Sequence, residues 1–259
     1  MRIFGDSFEL MSEMGRELRS YGGITVKPKH YQNKDIEDNE DYITKEIIAQ
    51  SYCLVDMGDP VWLFTFSHSY DWAKAEFNER INRNFINPGE AWKERRDLWE
   101  QFLVDRGNDH GVFDYTYNER FNDLASYKGG WNNYIDNVIQ LLKDDPDTRK
   151  AILSVWDTTI DKDYLDGSRR IPCSMYYHFL VRENIGGGKV LHMIYNQRSS
   201  DYIQHFGNDV YLAWRLKNYV AKEIGVTPGY LYHNIDSLHA YKKDWNELSR
   251  DLSELVDKY

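Results

Sequence analysis

The 259-residue sequence contains only two cysteines and no long apolar run. It has no stretch of the roughly 18 consecutive apolar residues that a membrane-spanning helix needs. The N-terminus, MRIFGDSFEL, lacks the basic start and apolar segment of a signal peptide. These absences predict a cytoplasmic protein, where a reducing environment keeps Cys53 and Cys173 as thiols. Each thiol is therefore a candidate nucleophile.

Positive charge is also scarce, because 32 Lys and Arg stand against 42 Asp and Glu, for a net charge of −10. This balance argues against a general affinity for duplex nucleic acid, which depends on basic side chains that displace counterions. A local arginine cluster can still bind the phosphate of a mononucleotide, since short-range charge-assisted bonds outweigh the screened far field. No linker rich in Pro, Gly or Ser divides the chain, and we predict one domain over residues 1–259.

Periodicity predicts a mixture of helices and strands. Apolar residues at helical spacing predict helices over residues 41–55, 131–143 and 209–224, with Gly225 as the cap of the last one. A further helix is expected around residues 90–104, within a charged and irregular segment. The segments KAILSVWD, SMYYHFLVRE and KVLHMIYNQRS are rich in β-branched and aromatic residues and predict strands. The intervening NIGGGK lacks the GxGxxG spacing of a dinucleotide-binding loop. Because strands and helices do not alternate strictly, the fold class is α+β.

Cys173 is the stronger candidate nucleophile. It lies in RRIPCSMYY, where Arg169 and Arg170 are close in sequence, and nearby positive charge favours the reactive thiolate. The alternative for a single cysteine is a buried structural role. Cys53 lies in the predicted helix over residues 41–55 without such neighbours, and we interpret it as a packing residue.

Three further motifs carry polar groups suited to a nucleotide site. NQRSSD at 196–201 ends a predicted strand with a guanidinium, two hydroxyls and a carboxylate. PDTRKAI at 146–152 adds two basic residues, and DSLHAY at 236–241 adds a histidine and a tyrosine. Each motif alone is also compatible with an ordinary solvated turn, a charged strand end or a hydrogen-bonded core pair.

Taken together, PDTRK, IPC, QRSSD and HAY occur in the order and at the approximate spacing of the thymidylate synthase superfamily, and the chain resembles that family most from Pro146 to Tyr241. The resemblance implies a large mixed β-sheet flanked by helices. It implies that Cys173 adds to C6 of a pyrimidine and that Arg198 and Ser199 hold the 5′-phosphate. In a homodimer, two basic residues of the partner subunit complete the phosphate site, and they correspond to Arg149 and Lys150. The family usually has two arginines there, so Lys150 replaces a bidentate fork with a point charge.

The resemblance also implies roles for the remaining candidates. His239 and Tyr241 match the pair that bonds the sugar 3′-hydroxyl, and Asp201 matches a carboxylate near the folate pterin. Weaker N-terminal matches complete the set: Trp99 and Tyr115 on the folate side, Glu46 on a catalytic-glutamate helix that organises water and proton transfer, and Arg19 as the arginine of an N-terminal phosphate loop.

Asp209 indicates which pyrimidine the site binds. It lies eight residues after Asp201, where thymidylate synthases have an asparagine that reads uracil. Cytosine offers an N3 acceptor and an N4 amino donor, which suit a protonated carboxyl. The strings HFGNDVYLAW and NIDSLHAY, with Ser237 two residues before the histidine, resemble the deoxycytidylate hydroxymethylase branch found in bacteriophages.

The resemblance therefore implies hydroxymethylation of C5 of deoxycytidine monophosphate (dCMP), with methylenetetrahydrofolate as co-substrate and no metal. Water, placed by Glu46, captures the exocyclic methylene after the thiolate of Cys173 has added to C6. Two enzymatic alternatives remain, a thymidylate synthase-type methyltransferase and a hydroxymethylase acting on deoxyuridine monophosphate (dUMP) or on cytidine monophosphate (CMP). A nucleotide- or RNA-binding protein that keeps the fold without turnover is a third alternative.

Overall fold

A computed structural model describes residues 1–21, 23–66, 68–122, 134–250 and 252. The helices are α1 (Ser7–Tyr21), α2 (Tyr70–Arg80), α3 (Arg96–Trp99), α4 (Tyr117–Phe121), α5 (Tyr134–Asp144), α6 (Gly207–Ile224) and α7 (Trp245–Leu248). The strands are β1 (Arg2–Phe4), β2 (Ile24–Val26), β3 (His30–Tyr31), β4 (Lys34–Asp35), β5 (Thr44–Leu54), β6 (Val104–Arg106), β7 (Asp109–Val112), β8 (Ile152–Ser154), β9 (Ser174–Glu183), β10 (Lys189–Gln197), β11 (Ser200–Asp201) and β12 (Thr227–Tyr241).

Eight of these strands form one mixed sheet in the order β1-β5-β12-β10-β9-β8, with β2 paired to β5 and β11 paired to β12. The pairs β1–β5, β10–β12 and β11–β12 are parallel, whereas β5–β12, β9–β10 and β8–β9 are antiparallel. Helices α1 and α6 pack against the sheet. The predicted α+β class with a large mixed sheet and flanking helices is confirmed.

The predicted strands of the C-terminal half are confirmed. β9 has the bounds expected from SMYYHFLVRE, and the NIGGGK segment turns the chain into β10. The helix predicted over 209–224 is also confirmed, although it begins two residues earlier, at Gly207. Gly225 caps it with a φ of 74°, a left-handed conformation that glycine adopts without steric cost.

The helix predicted over residues 41–55 is wrong, because the chain forms strand β5 there. Its apolar spacing fits a helix, but the segment is also rich in β-branched and aromatic residues, which suit a pleated sheet. β12 pairs with it from Leu54 to Thr44, so the ladder of the central sheet overrides the local pattern. Glu46 and Cys53 therefore lie on a strand.

The other two predicted helices differ in detail. Over 90–104 the chain forms consecutive short helical segments, 3-10 turns at Ala91–Arg95 and Glu100–Phe102 on either side of α3, before β6 begins. The helix predicted over 131–143 corresponds to α5, which is amphipathic as expected. Residues 131–133 lie outside the described residues.

Candidate active site

A cavity of about 390 Å³ opens where β10 ends, β11 and α6 begin, and the second half of β12 passes. Residues distant in sequence converge there, which is typical of a ligand site. Of the thirteen candidates from the sequence, ten line this cavity: Glu46, Trp99, Tyr115, Cys173, Arg198, Ser199, Asp201, Asp209, His239 and Tyr241.

Cys173 lies at the cavity wall, one residue before β9, and its side chain is partly exposed. Arg198 holds this turn in place. Its backbone N–H donates to the Cys173 carbonyl oxygen at 2.9 Å, and its Nε donates to the Pro172 carbonyl oxygen at 2.9 Å. One guanidinium nitrogen of Arg198 lies 3.8 Å from the Cys173 sulfur. A partly exposed thiol beside a fixed guanidinium can therefore meet a ligand in the cavity.

Cys53 is in the opposite setting. It is buried in β5, outside the cavity, and burial raises the pKa of its thiol. A buried thiol of this kind is an inert packing group, as the sequence indicates.

Asp209 lies in the first turn of α6, which follows a π-helical turn at Tyr202–Phe206. Its Oδ2 accepts a hydrogen bond from Gln197 Nε2 at 2.7 Å and one from Ser200 Oγ at 3.2 Å. Burial raises the pKa of Asp209 to about 6, against the lowering effect of these two donors. The neutral acid is therefore accessible near neutral pH, as the predicted reading of cytosine requires.

The neighbouring Asn208 does not face the cavity. Its side chain is fully buried, donates to the Ser69 carbonyl oxygen at 2.9 Å and accepts from the Ser69 backbone N–H at 3.3 Å. Asn208 thus anchors α6 to the start of α2. The residue that α6 presents to the cavity is the aspartate and not the adjacent asparagine.

Asp201 lies near indole groups that also line the cavity. Its Oδ1 accepts from the backbone N–H groups of Ile203 and Gln204, at 3.0 and 3.2 Å. Its Oδ2 is buried and has no hydrogen-bond partner among the described residues, and burial raises its pKa to about 7. The indole nitrogens of Trp92 and Trp99 are likewise buried without a partner in the described part of the chain. Buried polar atoms left unpaired are costly, so this wall suits a ligand that pairs with them.

His239 and Tyr241 lie on the same face of β12, as the family's sugar-binding pair requires. Burial lowers the pKa of His239 to about 4, so its imidazole is neutral at physiological pH. Ser237 joins this pair, with its Oγ 3.4 Å from His239 Nδ1. Tyr241 packs edge-on against Tyr31 of the β3–β4 hairpin, with 5.6 Å between the ring centroids.

Glu46 faces the cavity from β5, opposite His239 in the strand register. Its Oε1 accepts a hydrogen bond from Ser237 Oγ. The expected catalytic-glutamate helix is therefore absent at this position, and Glu46 belongs to the His239 end of the cavity.

Helix α2 brings a carboxylate that the sequence analysis missed. Glu76 lines the cavity and accepts from Arg80 Nε at 2.7 Å, and Arg80 is buried. Glu79, on the same helix, is held by the backbone N–H groups of Glu90 and Ala91 at 2.6 and 2.9 Å. Glu76 is thus a carboxylate that lines the cavity from a helix, whereas Glu46 lines it from a strand. The signal in the sequence was SYDWAKAEF, in which Ser69 caps the helix, its Oγ accepting from the Trp72 N–H.

Arg170 was noted in the sequence only as a neighbour of Cys173, yet it is a buried part of the cavity wall. Its guanidinium lies 4.8 to 5.6 Å from the ring centroids of Trp99, Phe102, Phe113 and Tyr115. Cation–π contacts of this kind hold the cation in a fixed place. Arg169 also lines the cavity and lies over the Tyr164 ring at 4.6 Å.

Three candidates lie outside this cavity. Arg149 and Lys150 are exposed just before β8 and do not line it. Arg19, near the end of α1, donates to the carbonyl oxygens of Leu248 and Arg250 at 3.1 and 3.0 Å. The prediction that Arg19 belongs to the phosphate site is not supported, because its guanidinium ties the C-terminal segment to α1.

Within the described ranges, no cluster of three or more His, Cys, Asp or Glu side chains could hold a metal ion. None of the helices in those ranges is long and apolar enough to span a membrane.

Comparison with known proteins agrees with the geometry. The profile of the family "Thymidylate synthase" matches residues 82–258. Relatives named "Putative thymidylate synthase" include one from Methanosarcina mazei, 28% identical over 160 residues, and one from Methanosarcina barkeri, 31% identical over 157 residues. Each of these matches covers 60% of this chain and 66% of the relative. A third, from Methanothermobacter marburgensis, is 30% identical over 175 residues, covering 68% of this chain and 70% of the relative. The chain thus spans about two thirds of the length of these relatives.

Proposed function

This chain belongs to the thymidylate synthase family, and we propose that it hydroxymethylates C5 of dCMP, with methylenetetrahydrofolate as the one-carbon donor. The observation that carries the choice of cytosine is the position of Asp209. It is a carboxyl, not an amide, that α6 directs into the cavity, while Asn208 is tied to Ser69. A neutral carboxyl complements the N3 acceptor and N4 donor of cytosine.

Cys173 is the proposed nucleophile. Its thiolate adds to C6 of the pyrimidine, and Arg198 keeps the sulfur beside a positive charge. Arg198 already donates to the carbonyl oxygens of Pro172 and Ile171, so in our proposal it shares its remaining donors with the nucleotide phosphate. Ser199 offers a hydroxyl to the same phosphate.

Methylenetetrahydrofolate, when bound, supplies the one-carbon unit that becomes the C5 substituent. The unpaired Oδ2 of Asp201 fits an N–H donor of the pterin, and the unpaired indole nitrogens of Trp92 and Trp99 fit acceptors. Trp72 and Trp99 are stacked, with 5.6 Å between centroids and 16° between planes, and form a flat apolar wall suited to an aromatic ligand.

The product depends on whether water or hydride completes the reaction, and we assign the placement of water to Glu76 rather than Glu46. Glu76 is bonded to Arg80, whose charge lowers the pKa of Asp209 and therefore lies at the base end of the cavity. Glu46 is instead bonded to Ser237, beside His239 of the proposed sugar-binding pair. A carboxylate next to the base is the one that can activate water at C5.

A homodimer completes the proposed phosphate site. The face of the sheet that α6 does not cover carries exposed apolar side chains, which indicates an interface. Arg149 lies at the border of this face, where its carbonyl oxygen is 3.1 Å from Nε2 of His178 on β9. From there Arg149 and Lys150 are in a position to reach a second subunit. The exposed apolar residues of the face include Ile152, Tyr176 and Tyr230.

The rival function is methylation of dUMP, which the names of the relatives suggest. Incubation of the protein with methylenetetrahydrofolate and dCMP, dUMP or CMP, followed by mass analysis of the nucleotide, separates the two. We expect a hydroxymethyl group on dCMP and no product with Cys173→Ala. A methyl group on dUMP, with no reaction of dCMP, would refute the proposal. A covalent adduct with a 5-fluoropyrimidine nucleotide, lost in Cys173→Ala, tests the non-enzymatic alternative.

A further inference from the structure

A chain of hydrogen bonds runs through the core of the sheet and ends at Asp209. The Tyr52 hydroxyl lies 2.8 Å from His233 Nδ1, and His233 Nε2 lies 3.1 Å from Gln197 Oε1. Gln197 Nε2 then donates to Asp209 Oδ2 at 2.7 Å. Tyr52, His233 and Gln197 are each at most 2% exposed. They come from β5, β12 and β10, three adjacent strands of the sheet.

We propose that Gln197, held by His233 and Tyr52, is a positioning residue that selects the pyrimidine by locking Oδ2 of Asp209 as the acceptor and presenting Oδ1 to the base. This inference rests on the proposed role of Asp209 and identifies the groups that set its orientation.

The direction of the chain follows from the chemistry of its members. Burial lowers the pKa of His233 to about 3, so its ring is neutral and has one donor and one acceptor nitrogen. A tyrosine hydroxyl donating to Nδ1 leaves the proton on Nε2, which must donate to Gln197 Oε1. The amide nitrogen of Gln197 therefore faces Asp209. With this tautomer, reversing the amide would oppose two donors at His233 and, while Asp209 is ionised, two acceptors at Asp209.

The His233 ring has little freedom to change this arrangement. It is stacked on Tyr195, with 4.3 Å between centroids and 18° between planes, and lies parallel to Phe206 at 6.3 Å. The stacked Tyr195 ring restricts the ring plane, and the hydrogen bonds at both nitrogens hold the tautomer.

The hydrogen bond from Gln197 determines which oxygen of Asp209 faces the ligand. Asp209 Oδ1 makes no hydrogen bond to the described residues and is not buried, so it opens into the cavity. In this arrangement Oδ1 accepts from the N4 amino group of cytosine. A hydroxyl at Oδ2 can donate to N3 while it still accepts from Gln197, when the longer contact with Ser200 gives way. The locked carboxyl therefore matches the edge of cytosine.

The same hydrogen bond predicts how an amide side chain at position 209 would be oriented. In Asp209→Asn the side-chain oxygen must face Gln197, so the NH2 group replaces Oδ1 and meets the substituent at C4 of the base. An NH2 group pairs with O4 of uracil and opposes the N4 amino group of cytosine. Without Gln197 the amide is free to turn and present its oxygen to cytosine.

The test is therefore to introduce Gln197→Met into the parent protein and into the Asp209→Asn variant, and to measure kcat/KM for dCMP and dUMP. In the Asp209→Asn background, we expect Gln197→Met to restore the dCMP/dUMP ratio by about 5- to 150-fold, the value of one buried mispaired group. In the parent, Gln197→Met lowers the same ratio. Tyr52→Phe, which removes the first donor only, lowers it by about 3- to 10-fold, the value of one ordinary hydrogen bond.

Tyr202→Phe is the matched control. Tyr202 is equally buried, and its hydroxyl donates to the Met11 carbonyl oxygen at 2.6 Å, outside the cavity lining. We expect this variant to keep the parental ratio. A general loss of packing lowers kcat/KM for both nucleotides together, so the ratio isolates positioning from stability.

The outcomes separate the two proposals. If the parent prefers dUMP, the proposed function fails. The positioning role is still supported if the dCMP/dUMP ratio of kcat/KM changes in Gln197→Met and Tyr52→Phe but not in Tyr202→Phe. If the ratio is unchanged in both chain variants, or changes equally in the control, the positioning role of Gln197 is refuted whatever the parent's substrate. Should Gln197→Met not fold, Tyr52→Phe against Tyr202→Phe decides the question.

Discussion

Replacement of Asp209 by asparagine should invert the choice of pyrimidine. The substitution keeps the size of the side chain and its bonds to Gln197 and Ser200, at 2.7 and 3.2 Å in the parent, because the amide oxygen accepts both. The amide nitrogen then takes the place of Oδ1. The N4 amino donor of cytosine then lies opposite the NH2 donor of the amide. The O4 acceptor of uracil lies opposite that NH2 group, and the N3–H donor of uracil lies opposite the amide oxygen.

The magnitude follows from one buried mispaired polar group. Such a group costs roughly 1 to 3 kcal/mol, or about 5- to 150-fold in discrimination. We expect kcat/KM for dCMP to fall by about this factor and kcat/KM for dUMP to rise. Folate binding should be unchanged, because the buried Oδ2 of Asp201 is a separate group.

The assay is initial-rate kinetics with each nucleotide at saturating methylenetetrahydrofolate, together with a direct measurement of folate affinity. A variant that retains the cytosine preference of the parent would show that Asp209 does not read the base. The function would then reduce to one-carbon transfer to an unidentified pyrimidine.

Three further predictions concern the rest of the site. Glu76→Gln should reduce hydroxymethyl formation by about 100-fold or more with little change in nucleotide affinity, whereas Glu46→Gln should mainly raise KM; product assays and binding titrations check both. Since burial raises the pKa of Asp209 to about 6, binding of dCMP above pH 6 should take up a proton that Asp209→Asn does not take up, as measured by calorimetry in buffers of different ionisation enthalpy. An equimolar mixture of Cys173→Ala and Arg149→Ala subunits should recover about a quarter of parental activity, because half of the dimers contain one intact shared site; no recovery after exchange of subunits would contradict the shared site.

Local sequence was sufficient where a motif is contiguous. Cys173 and Arg198 were both identified from short strings, and the structure joins them through the turn before β9. The helix that carries Asp209 was predicted from periodicity, and its glycine cap marks the end of that helix. These features depend on interactions within a few residues, which a single sequence records directly.

Local sequence failed where tertiary pairing decides the structure. The apolar spacing of residues 41–55 favours a helix, but β12 lies alongside and pairs with the segment as a strand. The assignment of Glu46 to a catalytic helix failed for the same reason, and Glu76 was missed because α2 has little amphipathic contrast in its sequence. Its cap at Ser69 was the only local signal, and a cap predicts a helix without predicting which face meets a ligand.

The hydrogen-bond chain from Tyr52 to Asp209 also depends on tertiary pairing. Its members lie at 52, 197, 209 and 233, and they meet because of the register of β10 on β12 and of β12 on β5. Tyr195 and Asn196 pair with His233 and Asn234, and Tyr52 pairs with His233, so a one-residue slip would turn the histidine to the other face of the sheet. The choice between an amino group and a carbonyl at C4 therefore depends on the alignment of three strands as well as on the identity of residue 209. With Gln197 in place, the reading of cytosine proposed here requires an aspartate at this position, and the buried glutamine that orients it makes that reading selective.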